Sequence, residues 1–451
     1  VKIGEVMKNT HNIKTSMIDS FMWEITKDQP SYNGLAVMAL DTALDEARLV
    51  SALGKFIEIV PVAAAKPIFG TWGGYWEIKK NFDAAELFTS IETDNINELA
   101  ELLGRLRKAP VDMENGPYIH VFHIRAGDKY FYAFRMHHFI GDGSSMLFMM
   151  DQIAACYREL AHDPKWTPAV SPKTERGVKQ IGKQLGFRQY LTGRRLNRQK
   201  DKNQPGTVVI GDNDGIADSL HGDVENHRTV SLRLNSDTAD EIRNQLKKNG
   251  YLLGDLIMAA TMCTVSNWNG RKGNRPESVR TRYAVDLRRW NKSNADVANI
   301  SCVKVHEAPA EILTRADEAM AHLKPRLDSE RRTMGLDYMW LYRFLSFMPA
   351  AFFKRNGDLF RKQYLDGVTT NHGLTSIGTV PESLGDFGHA SASSFSLLPP
   401  PVPRPNVLFL VSSFKGDLTI NIGYSDLHLK KESAEMLLNS FQEQLLSVTK
   451  K

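Results

Sequence analysis

The 451-residue chain is 42% hydrophobic and 24% charged, a balance that excludes a largely disordered protein and leaves room for two domains of ordinary size. Its 57 basic and 52 acidic side chains give a net charge of +5, too mild to argue for nucleic acid as a partner. No run of about 18 or more uncharged apolar residues occurs, so no transmembrane segment is expected. The opening Val1-Lys2-Ile3-Gly4-Glu5 lacks an apolar stretch of signal-peptide length, and Cys156, Cys263 and Cys302 stand far apart. Both features suit a reducing, cytoplasmic setting, with the thiols as core packing rather than a disulfide framework.

Residues 1 to 30 read as an entry segment. Asp41 to Ile59 has a helical pattern in Leu44, Ala47, Leu49, Leu53 and Ile57. Phe69 to Trp76, rich in Gly and Trp, reads as a turn with a strand beginning at Tyr75, and Asn95 to Leu106 as a further helix. Tyr130 to Arg135 then alternates as a strand does and runs into Met136-His137-His138-Phe139-Ile140-Gly141-Asp142-Gly143. The apolar stripe Met146, Leu147, Met150, Ile153, Ala154, Tyr157 and Leu160 marks the helix that follows.

Histidine takes and returns a proton near neutral pH, so a base at a pocket mouth can deprotonate an alcohol or amine as it attacks an acyl carbonyl. Neighbouring side chains on extended backbone point to opposite faces, so only one of His137 and His138 can meet a given cavity. Asp142 could orient an imidazole, hold a cation or pin the loop through an arginine. Gly141 and Gly143 suit a tight turn with positive φ, and Ser144 or Ser145 could cap the helix. The plain packing reading is a His pair closing a core strand. A metal site is disfavoured, because adjacent histidines rarely converge on one ion and no HExxH or Cys-pair spacing is present.

His137-His138-Phe139-Ile140-Gly141-Asp142-Gly143 resembles the HHxxxDG signature of an acyltransferase superfamily. That superfamily includes condensation domains of nonribosomal peptide synthetases, wax ester synthase/diacylglycerol acyltransferases, polyketide-associated acyltransferases and alcohol acetyltransferases. Gly116-Pro117, Tyr118 to Ile124 and the Tyr130 strand are similar to the family's lead-in, and Ser16-Met17-Ile18-Asp19 to its start. The resemblance implies an α/β fold of two chloramphenicol acetyltransferase-like lobes, a V-shaped pseudo-dimer with a tunnel between them. It makes His138 the catalytic base, with His137, Asp142 and Gly143 completing the motif. It also ties Asp142 to an arginine of the other lobe.

Beyond the motif helix, Lys173 to Lys202 is basic and Asn203 to Asp223 polar and Gly/Asp-rich. This reads as a basic helix and a loop crossing between lobes, a solvated face or a landing surface for CoA phosphates, an acidic carrier protein or anionic lipid. Residues 1–170 then form the first lobe, 171–227 the crossover and 228–451 the second lobe. Thr229 to Leu234 alternates as a strand, Ser236 to Gly250 reads as a helix capped by Ser236, and Leu252 to Trp268 as a core helix. Arg282 to Arg288 followed by Asn299-Ile300-Ser301 is similar to the family's second-lobe signature, which pairs Arg288 with Asp142.

The aromatic stretch Met334 to Phe360 reads as helices packed in a core, or as the wall of a greasy pocket or a patch touching lipid. Thr370 to Gly378 is similar to the family's strand beside the catalytic channel, with His372 interrupting its pattern. Asn299, Thr375 and Ser376 are candidates for substrate or oxyanion contacts. Pro399 to Pro405 reads as a rigid connection, Val407 to Phe414 with Leu418 to Tyr424 as a hairpin, and Glu432 to Leu446 as a closing helix.

The resemblance implies transfer of an acyl group from a thioester to a hydroxyl or amine of a small-molecule acceptor. The donor is acyl-CoA or a phosphopantetheine-linked acyl group on an acyl or peptidyl carrier protein, arriving in trans. No permanently bound cofactor and no metal are expected, and peripheral lipid contact is compatible with the aromatic stretch. Two alternatives stay open: a wax ester or diacylglycerol-type lipid acyltransferase, and a non-catalytic condensation-like module that recruits a carrier protein.

Overall fold

Alternation along single strands divides the first lobe into layers. In strand Asn33–Leu40, Ala36, Met38 and Leu40 enter the main core, while Leu35 and Val37 enter a smaller one on the opposite face. Strand Lys129–His137 repeats the division, with Tyr132, Phe134 and Met136 on the first side and Phe131 and Ala133 on the second. Helices Glu46–Ile59 and Gly143–His162 cover the main face, and Leu102 of Leu99–Lys108 the other. In this computed structural model the described residues are 12–169, 172–177, 186–198, 210–212, 224–271, 273, 276–290, 297–333, 335–361, 372–401 and 407–449.

The first sheet has five strands, in the order Ala392–Leu398, Asn33–Leu40, Lys129–His137, Ile119–Ala126 and Phe88–Thr93. Its outermost strand, Ala392–Leu398, comes from the second half of the sequence and pairs antiparallel with Asn33–Leu40, Phe395 opposite Met38. The lobes are therefore not divided at one point in the chain, as a boundary at 228 would require. The second sheet has six strands, in the order Ser301–Pro309, Ser278–Asp286, His372–Thr379, Val407–Phe414, Asp417–Ser425 and His227–Leu234. Val407–Phe414 and Asp417–Ser425 form the expected hairpin, every residue of the second strand buried. Helices Ser236–Lys248, Leu253–Arg271, Ala316–Thr333 and Lys431–Leu446 cover one face. Leu253–Arg271 is apolar nearly all round, and its residues from Asp255 to Ser266 are all buried. The opposite face turns toward the first lobe, so Val285, Ile300, Leu410 and Phe414 join the first lobe's core.

Several boundaries depart from the sequence reading. The helix expected from Asp41 begins at Glu46, because Asp41 is pinned to the crossing segment: its Oδ1 accepts the Ser391 N–H at 2.8 Å, and Asp45 is the cap. Asn235, not Ser236, caps Ser236–Lys248. The aromatic stretch is not simply core. Phe353 is buried in it, whereas Phe344 and Phe347 are exposed. Apart from 210–212, the loop expected at 203–223 lies outside the described residues, as do Thr370, Asn371 and residues 402–405 of the proline-rich connection.

Candidate active site

The motif loop begins where strand Lys129–His137 leaves the sheet. His137 N–H donates to the Tyr118 carbonyl at 2.8 Å and His138 N–H to the Tyr32 carbonyl at 2.9 Å, so the backbone of both histidines is fixed by the flanking segments. Asn299 of the second lobe donates through Nδ2 to the carbonyls of His138 (2.8 Å) and Phe139 (3.1 Å). Its amide is thus spent on holding the loop, rather than on the oxyanion contact for which it was named.

The two imidazoles lie in different surroundings. His137 is fully buried, with Nε2 donating to the Gln29 carbonyl at 2.9 Å and Nδ1 accepting the Phe139 N–H at 3.2 Å. Burial pushes its pKa down to about 4, and with both nitrogens engaged the ring is a neutral structural element with no lone pair for a metal or a proton. His138 stacks on Tyr32, ring centroids 5.0 Å apart and nearly parallel. Its Nδ1 is buried without a hydrogen-bond partner, and the ring lines a cavity between the lobes. Nε2 is therefore the nitrogen that a molecule in the cavity can meet.

Asp142 caps the motif helix in place of Ser144 or Ser145. Its Oδ1 accepts the Ser145 N–H at 3.0 Å, and its Oδ2 accepts the Ile300 N–H at 2.8 Å and Arg288 Nη1 at 2.9 Å. Arg288 also donates to the Ala298 carbonyl and to Ser145 Oγ, and Ser144 Oγ donates to Asp286 of the second lobe at 2.6 Å. Burial alone would raise the Asp142 pKa. The Arg288 charge and hydrogen bond, with the two backbone N–H groups, outweigh it and hold the carboxyl below its usual value. Asp142 is thus an ionised, saturated tie between lobes, and the structure brings it together with Arg288.

Gly141 and Gly143 do not adopt the positive φ that their type allowed. Space is what Gly141 supplies: a Cβ there would lie 2.6 Å from the Ser145 Cβ. Gly143 lines the cavity opposite Ile377.

The cavity walls come from both lobes: Tyr32, Met136 and Met146 from the first, and Tyr283, Leu374, Thr375, Ile377 and Leu410 from the second, with Leu397 of the crossing strand between. Thr375 and Ile377 of His372–Thr379 line the cavity, whereas Ser376 between them is exposed and does not line it, which separates Ser376 from the contact proposed for it. Cys156 and Cys263 are buried, and burial pushes each thiol up to about 12. Among the described residues, no group of three or more His, Cys, Asp or Glu could hold a metal ion, and no helix is long and apolar enough to cross a membrane.

One element of the site escaped the sequence reading. Arg176, counted there with a solvated basic run, is buried and donates through Nε (2.9 Å) and Nη2 (2.7 Å) to Asp19 Oδ1. Its Nη2 also reaches the Ile140 carbonyl inside the motif (3.1 Å), its Nη1 reaches the Val297 carbonyl, and its guanidinium lies over the Trp76 ring. Asp19 is positioned by a capping box with Ser16. That Ser-x-x-Asp spacing is the sole local signal, and nothing near Arg176 marks it as a partner.

A family profile described as Condensation domain matches residues 20–274. The fold is similar to that of the epimerization domain from the third module of tyrocidine synthetase B, with a TM-score of 0.68 at 14% identity over 98% of this chain and 97% of that one. It is also similar to trichothecene 15-O-acetyltransferase from Fusarium sporotrichioides, with a TM-score of 0.68 at 14% identity over 96% and 94% of the two chains. A variant of the starter condensation domain of rhizomide synthetase, in complex with C8-CoA, gives 0.65 at 13% identity over 99% and 96%. These likenesses agree with the two-lobed fold class, and because their names span epimerisation, acetylation and condensation, the fold alone does not choose a reaction. No curated protein sequence matches the chain.

Proposed function

The chain belongs to the condensation-domain family, and on that premise we propose that it moves an acyl group from a thioester to a hydroxyl or amine, with His138 as general base. One observation carries this reading: His138 lines a cavity walled by both lobes with its Nδ1 buried, while His137, Asp142 and Asn299 are occupied in holding the motif loop. The acceptor O–H or N–H gives its proton to Nε2 as the oxygen or nitrogen bonds to the thioester carbonyl carbon. The tetrahedral intermediate then collapses, the C–S bond breaks, and His138 returns the proton to the departing thiolate. An ester or amide and a free thiol result.

Positioning both reactants in one cavity supplies much of the advantage over solution. Thr375 is our candidate for a hydroxyl contact to the developing oxyanion, since it lines the cavity. The donor is acyl-CoA or a phosphopantetheine-linked acyl group on a carrier protein. The predominantly aliphatic wall beside His138 suits an apolar portion of donor or acceptor.

The test is thiol release from a panel of acyl-CoA and acyl-carrier donors, with and without alcohol and amine acceptors. We expect release that depends on the acceptor, together with formation of the ester or amide. Binding of a carrier protein with no release under any pairing would replace this reading with that of a recruiting module. Turnover confined to long-chain acyl donors and lipid alcohols would narrow it to a lipid acyltransferase.

A further inference from the structure

Four aromatic side chains stand among the exposed large apolar residues of the described chain: Trp72, Phe187, Phe344 and Phe347. All four fall in one region. Helices Phe187–Arg198 and Leu336–Leu345 pack so closely that a Cβ at Gly193 would lie 2.2 Å from the Leu336 carbonyl oxygen. Arg343 lies over the Tyr190 ring at 5.2 Å, which aligns the two helices antiparallel and brings Phe187 toward the end that carries Phe347. Trp72, on a hairpin tip, joins them: the Ala351 N–H donates to the Thr71 carbonyl, and one groove is lined by Trp72, Ser346 and Met348.

The exposed charge of the two helices has one sign, with Glu175 the exposed carboxylate of the adjoining groove. Arg188, Arg194, Arg195 and Arg343 are exposed, and the sole carboxylate of the two helices, Asp337, is buried. Phe187 and Phe347 are each 75% exposed, far beyond what a helix pair closing a core would leave. Aromatic rings standing among arginines on the surface of adjacent helices are the composition of a face that lies in a bilayer interface, rings among the acyl chains and guanidinium groups at anionic headgroups. From this arrangement we infer that the Phe187–Arg198 and Leu336–Leu345 face docks on an anionic membrane surface. An acidic soluble protein would have to match each of the separated rings with an apolar pocket as well as the arginines with carboxylates, whereas acyl chains accept the rings wherever they stand. This inference stands apart from the acyl-transfer reading and uses none of the residues around His138.

The test is flotation of the whole chain with phosphatidylcholine vesicles and with vesicles also containing phosphatidylglycerol. Binding is expected on the anionic vesicles and weak on the neutral ones, and it should decline as salt screens the headgroups. R194E/R195E should reduce it by about tenfold or more, and F344S/F347S should reduce it even at low salt. These side chains are exposed, so a melting curve matched to the parent verifies that each variant is folded. In a second readout, the emission of the exposed Trp72, taken as the difference between the parent and Trp72→Phe, should shift to the blue on anionic vesicles and be quenched by brominated lipid. No binding to anionic vesicles, or binding that both double variants leave unchanged, overturns the inference. Self-association lost in F344S/F347S without vesicle binding, or capture of an acidic carrier protein lost in R194E/R195E without vesicle binding, overturns it as well.

Discussion

The motif loop has a packed side and an open side, and they are built from neighbouring residues of similar type. On the packed side His137 and Asp142 spend their polar atoms, and Asn299 its amide nitrogen, on backbone carbonyls, backbone N–H groups and Arg288. On the open side His138, Gly143 and Thr375 face the cavity. The imidazole that has two partners is held inert, and the one whose Nε2 has none is left for chemistry. Substitutions on the packed side should therefore be read in stability, and substitutions on the open side in turnover.

The largest expected effect is on the packed side. Asp142→Ala takes from Arg288 its buried carboxylate and leaves it the half-exposed Asp286 at 3.2 Å, and breaking one half of a buried pair costs roughly 3–5 kcal/mol, here toward the lower figure and measurable by urea unfolding. A double-mutant cycle with Arg288→Met should show strong coupling, because the two charges share one desolvated site. Additive effects would break the division between the two sides.

Asp19→Ala should cost about 3 kcal/mol for the same reason, since it leaves Arg176 buried and unpaired. This pair was not legible in the sequence. The Asp142–Arg288 pair came from a motif with a known partner pattern, whereas Arg176 sat in a stretch whose local composition spoke only of charge. The same distinction runs through the fold. The hairpin at 407–425 and the helix Lys431–Leu446 could be read because alternation and helical period are local properties. The crossing of Ala392–Leu398 into the first sheet could not, because the choice of partner strand depends on contacts more than 350 residues away. Asp142 took the cap expected of Ser144 or Ser145 through one carboxylate oxygen and reached the second lobe with the other, a double duty that only tertiary structure discloses.

The open side offers a smaller and sharper contrast. Thr375→Val should lower kcat by about 10²-fold if its hydroxyl meets the oxyanion, while Ser376→Ala, outside the cavity wall, should leave it unchanged. Equal effects would contradict the assignment of Thr375, and not Ser376, to the cavity wall.

The smallest effect is a pH dependence from the packed side. Burial holds His137 near 4 against its ordinary value of 6.5, so between those values the unfolded chain binds a proton that the folded chain does not. Stability is intact above about 6.5 and is lost as the pH falls toward 4, by about 2 kcal/mol from pH 7 to pH 5. His227 and His372 are also held low, near 3, by burial, so the informative quantity is the difference between parent and His137→Asn melting series. The variant should show the shallower slope.

The most direct measurement compares acceptor-dependent thiol release in the parent and in His138→Ala, at matched fractions folded. Loss of a positioned general base predicts a fall in kcat of about 10²–10⁴-fold, with a Tm close to that of the parent, because the ring's nitrogens hold nothing in place. Release that continues at the parent's rate in His138→Ala would remove His138 from the reaction, and the division between a packed and an open side with it.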